Sequence, residues 1–235
     1  MKYLFIIPAR GGSKGLPGKN VRSLNGVPLI NHSLQYARLF ADDADICVTT
    51  DDNNIASVVH GAGYEVPFLR PDHLSGDSAG MREVLLHGLD FFENKGTKYD
   101  ALVLLQPTSP FRRKHFFEEA KESFNAGIDM VVAVNESKSN PYFNLFEENE
   151  NGFLRISKKS DAVSRQQAPK VYQYNGNLYI INTKSLRLYE SLAAFPHIVK
   201  YIIPQEYGVD IDNAADWNSA EYLLNNHIVE TDGKL

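Results

Sequence analysis

The chain has 235 residues, 43% hydrophobic and 23% charged, with a net charge of −5, which suffices for one sizeable core and at most a small appendage. A pI near 5.8 without a long basic face argues against general nucleic-acid or anionic-membrane binding. No apolar run approaches the roughly 18 residues of a membrane span, and the apolar "YLFII" near the N-terminus is too short for a signal-peptide core. In chain order, "KYLFIIP", "ADICVTT", "YDALVLLQ" and "IDMVVAV" have the length and apolarity of strands buried on both faces. Between and after them, "LINHSLQYARLF", "NNIASVVHGAG", "MREVLLHGLDFFENK" and "KHFFEEAKESFNAG" have the period of amphipathic helices, several ended by glycine. Such alternation predicts an α/β fold, a mostly parallel sheet with helices on both faces. From residue 136 to 172 the chain turns polar and turn-rich, which predicts an arm protruding from a single domain spanning 1–235. It returns to the core in "GNLYIIN" and "HIVKYIIP" and closes on a helix in "NAADWNSAEYLLNNH". The single cysteine, Cys47, lies in a strand run, as expected of a small core residue in a reducing cytoplasm.

In such sheets ligands bind beyond the carboxyl ends of the strands. The loops that follow three of the strands, "ARGGSKG", "TTDDNN" and "QPTSPFRR", are all polar or charged and are expected on one rim. The first carries the strongest signal. The first acidic residue of the chain is Asp42, and Lys2, Arg10, Lys14, Lys19, Arg22 and Arg38 precede it, so the net charge divides into +6 before that point and −11 after it. A solvated basic turn would account for the charge alone. Placed on a glycine-rich loop, whose freed N–H groups can cradle phosphate oxygens, it suits a polyanionic ligand. The spacing is not that of a P-loop: Ser13 takes the first glycine position, Asn20 follows Lys19, and Pro28 intervenes before a helix can start. Nor is it the dinucleotide fingerprint, since the glycines fall at 11, 12, 15 and 18.

"VDID" is the second informative stretch. In a strand, residues two apart face the same way, so Val209 and Ile211 can pack inward while Asp210 and Asp212 project together. Two carboxylates facing one spot repel unless a cation lies between them, and hard oxygen ligands suit Mg²⁺. The alternative is a strand ending in an acidic solvated turn. Asp51, after "TT", suits a ribose, a metal or the N-terminus of the next helix. The seven histidines show no ligand spacing, and a zinc site is not expected.

Taken together, "IIPARGGSKGLPGKN", "RPDHLSGDSA", "QPTSPFR", "SRQQAPKVYQYNGNLYI" and "VDIDN" resemble, in the same order and over nearly the whole chain, the acylneuraminate cytidylyltransferases, or CMP-sialic acid synthetases. The resemblance implies a nucleotidyltransferase fold and a cytoplasmic homodimer whose arm completes the partner's site. It also implies CTP as co-substrate, a keto-sugar acid as acceptor and a Mg²⁺ requirement. It assigns Arg10, Gly11, Gly12, Ser13, Lys19, Asn20, Arg70 and Asp77 to the nucleotide, with Arg10, Lys19 and Asp212 catalytic. Asp210 and Asp212 are then the metal pair, and Gln106, Arg165 and Tyr179 contact the sugar, although a strand tyrosine such as Tyr179 equally suits the core. Related enzymes for Kdo, an eight-carbon keto-sugar acid, usually carry "RLPGKPL" and an acidic stretch after the strand-end glutamine; this chain has "GLPGKN" and "QPTSP". Kdo is therefore the alternative substrate. A nucleotide-binding module without turnover is the alternative class, although it would tolerate loss of the aspartate pair, and a metal-dependent glycosyltransferase is a third. Gln173 and Phe143 stand where relatives often carry arginine or lysine, and this leaves N-acetylneuraminate and its legionaminate- or pseudaminate-type analogues all open.

Overall fold

The computed structural model describes residues 1–76 and 79–232. Six strands form the central sheet: β1 (Tyr3–Ala9), β4 (Ile46–Thr50), β5 (Ala101–Leu104), β6 (Met130–Glu136), β9 (Tyr172–Asn182) and β10 (Ile198–Ile202). Two short pairs lie outside it, β2 (Ser23–Leu24) with β3 (Val27–Pro28) and β7 (Phe146–Glu148) with β8 (Leu154–Ile156). The strand order is β10-β6-β9-β5-β1-β4. All neighbours are parallel except β9, which runs antiparallel to both β5 and β6.

The double burial expected of the strands shows residue by residue. Phe5 and Ile7 face one apolar cluster with Val103, Val131, Ile180 and Trp217, while Leu4 and Ile6 face a second with Leu85, Leu102, Val132 and Ile181. This is the period-2 alternation of a sheet covered on both sides. Helices α1 (Leu29–Ala37), α2 (Asn53–Gly61), α4 (Lys114–Ala120) and α6 (Ala214–Asn225) contribute to the first cluster; α3 (Met81–Asn94) and α5 (Thr183–Leu188) cover the second. Among the described residues no helix is long and apolar enough to cross a membrane.

Two expectations are corrected. The helix in "KHFFEEAKESFNAG" ends at Ala120 and tightens into a 3-10 turn over Lys121–Ser123. "VDID" is not a strand: residues 209–212 run outside the sheet, yet the in–out alternation survives, with Ile211 fully buried between exposed Asp210 and Asp212. The excursion between β6 and β9 holds the β7–β8 hairpin, which leaves Phe146, Phe153 and Leu154 more than half exposed.

This topology gathers the distant motifs. β1, β4 and β5 end on one rim, delivering the glycine loop, Asp51 and Gln106. Because β9 is antiparallel, its first residues return to that rim, with Tyr174 opposite Val134. β10 ends there as well and leads into "VDID" through the Ile211 N–H bond to the Thr108 carbonyl, 2.8 Å.

Candidate active site

After Ala9 the chain leaves the sheet and is tied down by its own polar groups. The Gly11 N–H donates to Asp51 Oδ1 at 3.2 Å, Ser13 N–H to the Gly11 carbonyl at 3.0 Å, and Asn20 Nδ2 to the Arg10 carbonyl at 3.0 Å. Gly15 passes so close to the Asp212 carbonyl that a Cβ there would collide with backbone. The loop then turns through Gly18, at φ 68°, into a 3-10 turn over Lys19–Val21. The Lys19 stem is buried, and its ammonium donates to the Ile211 carbonyl at 2.7 Å and to Asp212 Oδ1 at 2.9 Å. One lysine thus joins the two sequence motifs, 193 positions apart.

Arg70 forms the opposite wall. Its backbone N–H binds the Thr50 carbonyl at 2.7 Å, and its side chain, only 4% exposed, reaches Asp51 Oδ1 at 3.3 Å and Ser75 Oγ at 3.4 Å. Burial lowers the guanidinium pKa and Asp51 offsets part of that. Asp51 is therefore the shared anchor of the glycine loop and Arg70. The helix-capping role falls to Asp52, whose carboxylate accepts from the N–H groups of Asn54 and Ile55 at 2.6 and 3.2 Å.

Asp210 and Asp212 open onto the same cleft. Burial pushes the Asp210 carboxyl above the usual carboxylate range; a hydrogen bond with Thr108 opposes this, neighbouring Asp212 adds to it, and Lys19 opposes it. The backbone below is set by the capping box of α6: Asp216 Oδ2 accepts from the Asp212 and Asn213 N–H groups at 2.9 and 3.1 Å, and Asn213 caps the helix in return. Among the described residues no cluster of three or more His, Cys, Asp or Glu forms a closed metal site. Two carboxylates opening onto one cleft, one of them paired with Lys19, have the oxygen chemistry that would suit a hard cation.

The residue range 4–226 matches the family model described as Cytidylyltransferase. The chain belongs to the cytidylyltransferase family. Over 95% of its length it is 31% identical to CMP-N,N'-diacetyllegionaminic acid synthase of Legionella pneumophila, of which the match covers 97%. It is also 32% identical to the N-acylneuraminate cytidylyltransferase of Streptococcus agalactiae serotype V, over 92% of this chain and 52% of that protein. The solved CMP:2-keto-3-deoxy-manno-octonic acid synthetase complexed with CTP shares the fold, with TM-score 0.67 and 19% identity over 97% of this chain and all of that one.

The cleft of this cytidylyltransferase has a volume of about 610 Å³. It brings together Arg10, Ser13, Lys19 and Asn20 from the glycine loop, Arg70 and Gln106 from the rim, and the Asp210/Asp212 pair. Gly11 lines a small cavity just behind the loop, and Gly12 sits beside open space. Tyr179 does not line the cleft. It lies in the sheet opposite Leu104 and Val132, 7% exposed, where burial raises its hydroxyl pKa to about 12. Arg165 is exposed on the arm and does not line the cleft of its own chain. Asp77 lies outside the described residues. Sequence reasoning passed over Thr108, the partner of Asp210, although it stands two residues after Gln106 in a motif already singled out. It also passed over the apolar wall of Leu74, Ala79, Met81 and Val84, because apolar residues ahead of and within a helix read as core.

Proposed function

We propose that this cytidylyltransferase transfers CMP from CTP to the anomeric hydroxyl of a nine-carbon 2-keto sugar acid, releasing pyrophosphate. The observation that carries the reading is the Lys19 bridge, which places a cationic glycine loop and a paired carboxylate segment in one cleft. The reaction joins two anions, so charge on the phosphate oxygens must be neutralised and the nucleophile aimed. Arg10 and Lys19 hold the triphosphate with the glycine-loop N–H groups, and Arg70 and the apolar wall beside it take the nucleoside end. Gln106 faces the sugar. Asp210 and Asp212 would hold Mg²⁺, which supplies charge neutralisation and lowers the pKa of the attacking hydroxyl.

The same reading makes the protein a cytoplasmic homodimer. The arm supports it: its hairpin leaves Phe146, Phe153 and Leu154 more than half exposed, and Arg165 further along the same arm is exposed too. Arg165, whose guanidinium fork fits a carboxylate bidentately, then reaches the sugar acid bound to the partner. Relatives that act on legionaminate-, pseudaminate- and N-acetylneuraminate-type acids all match at about 30% identity, which supports a nine-carbon acceptor and leaves the choice among the three to the assay. The deciding assay is incubation with CTP, Mg²⁺ and a panel of legionaminate, pseudaminate, N-acetylneuraminate and Kdo, following pyrophosphate. Release with a nine-carbon acid is the expected result; release with Kdo alone, or with none, overturns the assignment.

A further inference from the structure

Arg112 is the most deeply buried cation of the cleft's surroundings, 1% exposed, and it does not line the cleft. Its guanidinium meets three neutral acceptors on three separate elements. Nη2 donates to the Gln106 carbonyl at 2.8 Å, Nε to the Asn177 carbonyl of β9 at 2.7 Å, and Nη1 to Ser33 Oγ of α1 at 2.9 Å. Among the described residues no carboxylate pairs with it, and the ring of Tyr36, 5.8 Å away, is its remaining partner. Burial pulls its pKa down to about 10, which still leaves it charged at neutral pH. Burying an ion without a counter-ion is costly, and neutral groups could have closed a purely structural turn.

What this arrangement achieves is orientation. The Gln106 carbonyl accepts from both Arg112 Nη2 and the Ser109 N–H, so residues 106–112 close back on their own first residue. The same loop is tied to the neighbouring segments around residues 211 and 175–177. Thr108 accepts from Ile211 N–H, Ser109 Oγ donates to the Asn175 carbonyl at the root of the arm, and the Phe111 carbonyl accepts from Asn177. Facing it, Gly176 at φ 73° brings its backbone against the Gln106 and Ser109 side chains, where a Cβ would clash. Gly176 thus stands against the Gln106 side chain, while Arg112 holds the backbone carbonyl from which that side chain springs.

We infer that Arg112 is a positioning residue which, by gripping the Gln106 carbonyl, sets how the sugar acid is presented to the nucleotide. The inference rests on the reading that Gln106 faces the sugar. The effect is expected on the sugar side first, because the three acceptors that Arg112 grips are Gln106, Asn177 and Ser33, none of them a residue assigned to the nucleotide.

The test is a double-mutant cycle with Gln106→Ala and Arg112→Lys, reading the Michaelis constants for sugar acid and CTP separately. Gln106→Ala should raise the sugar constant about tenfold, the size of one lost hydrogen bond to a charged or polar partner, and leave CTP within about twofold. Arg112→Lys keeps the charge and loses the fork, and should shift the sugar constant in the same direction by about three- to tenfold. The double variant should match Gln106→Ala alone within about twofold, because the arginine acts through the glutamine. Multiplying effects, or a loss shared equally by CTP, would overturn the inference while leaving the role of Gln106 standing. If Gln106→Ala itself spares the sugar constant, the sugar-side reading fails instead. Should Arg112→Lys fail to fold, Ser33→Ala removes one of the three acceptors: a rise of about fivefold in the sugar constant, with CTP within about twofold, supports the grip, and a sugar constant within about twofold overturns it.

Discussion

Lys19 holds the carbonyl of Ile211 and the carboxylate of Asp212 at once, so it is both a charge lining the cleft and a strut between two loops. Lys19→Ala removes both contributions. Its catalytic rate should fall by about two to three orders of magnitude if the ammonium stabilises charge in the transition state. Steady-state kinetics decide: a change confined to the Michaelis constant for CTP means ground-state binding alone. Asp51 makes a sharper structural case. It is the counter-ion of Arg70, whose side chain is 4% exposed, and the acceptor for the Gly11 N–H. Asp51→Asn keeps an acceptor and deletes the charge, and should cost about 1–3 kcal/mol of stability in urea denaturation. CTP affinity should fall with it, because the glycine loop and Arg70 lose their common anchor. Unchanged affinity with lowered stability would confine Asp51 to the fold.

At the scale of elements, the glycine loop and the "VDID" segment are one unit, and two glycines three positions apart in that loop separate its constraints. At Gly15 a side chain meets the Asp212 backbone, whereas at Gly12 it meets nothing within 4 Å. Gly15→Ala should therefore lower the melting temperature and abolish turnover. Gly12→Ala should leave the melting temperature unchanged, and any loss of CTP affinity there, read by calorimetric titration, marks ligand approaching that backbone. Much of this unit was legible beforehand: the apolar runs buried on both faces located four strands, and the in–out pattern of "VDID" exposed its two aspartates. Other features were not. Hydrophobic period does not encode strand direction, so the antiparallel insertion of β9 between β5 and β6 had no signal. Asp51 and Asp52 are adjacent and equally suited to a helix start; only the position at which α2 begins, Asn53, makes Asp52 the cap. Arg112 was invisible as an anchor because arginine reads as surface until three acceptors are seen around it.

For the whole molecule the open question is what the arm completes. Arg165 stands on a segment outside the central sheet that also carries exposed apolar side chains, and the cleft of its own chain is lined without it. Whatever holds the sugar carboxylate also aims the adjacent anomeric hydroxyl, so Arg165→Ala should raise the sugar Michaelis constant and lower the rate at saturating sugar, with CTP barely affected. A loss of about 2–4 kcal/mol in transition-state binding is the usual scale for removing one member of a desolvated charge pair. Which subunit feels that loss can be read by complementation. If the chain dimerises as proposed, Arg165→Ala and Lys19→Ala should disable different halves of the site, and each variant alone should be nearly inactive. When the two are unfolded together and refolded in equal amounts, half the dimers are mixed. If the arm serves its neighbour, each mixed dimer gathers both lesions in one site and leaves the other intact, so activity should recover to about a quarter of the unmutated enzyme. If mass spectrometry confirms mixed dimers and no activity returns, each arm serves its own chain.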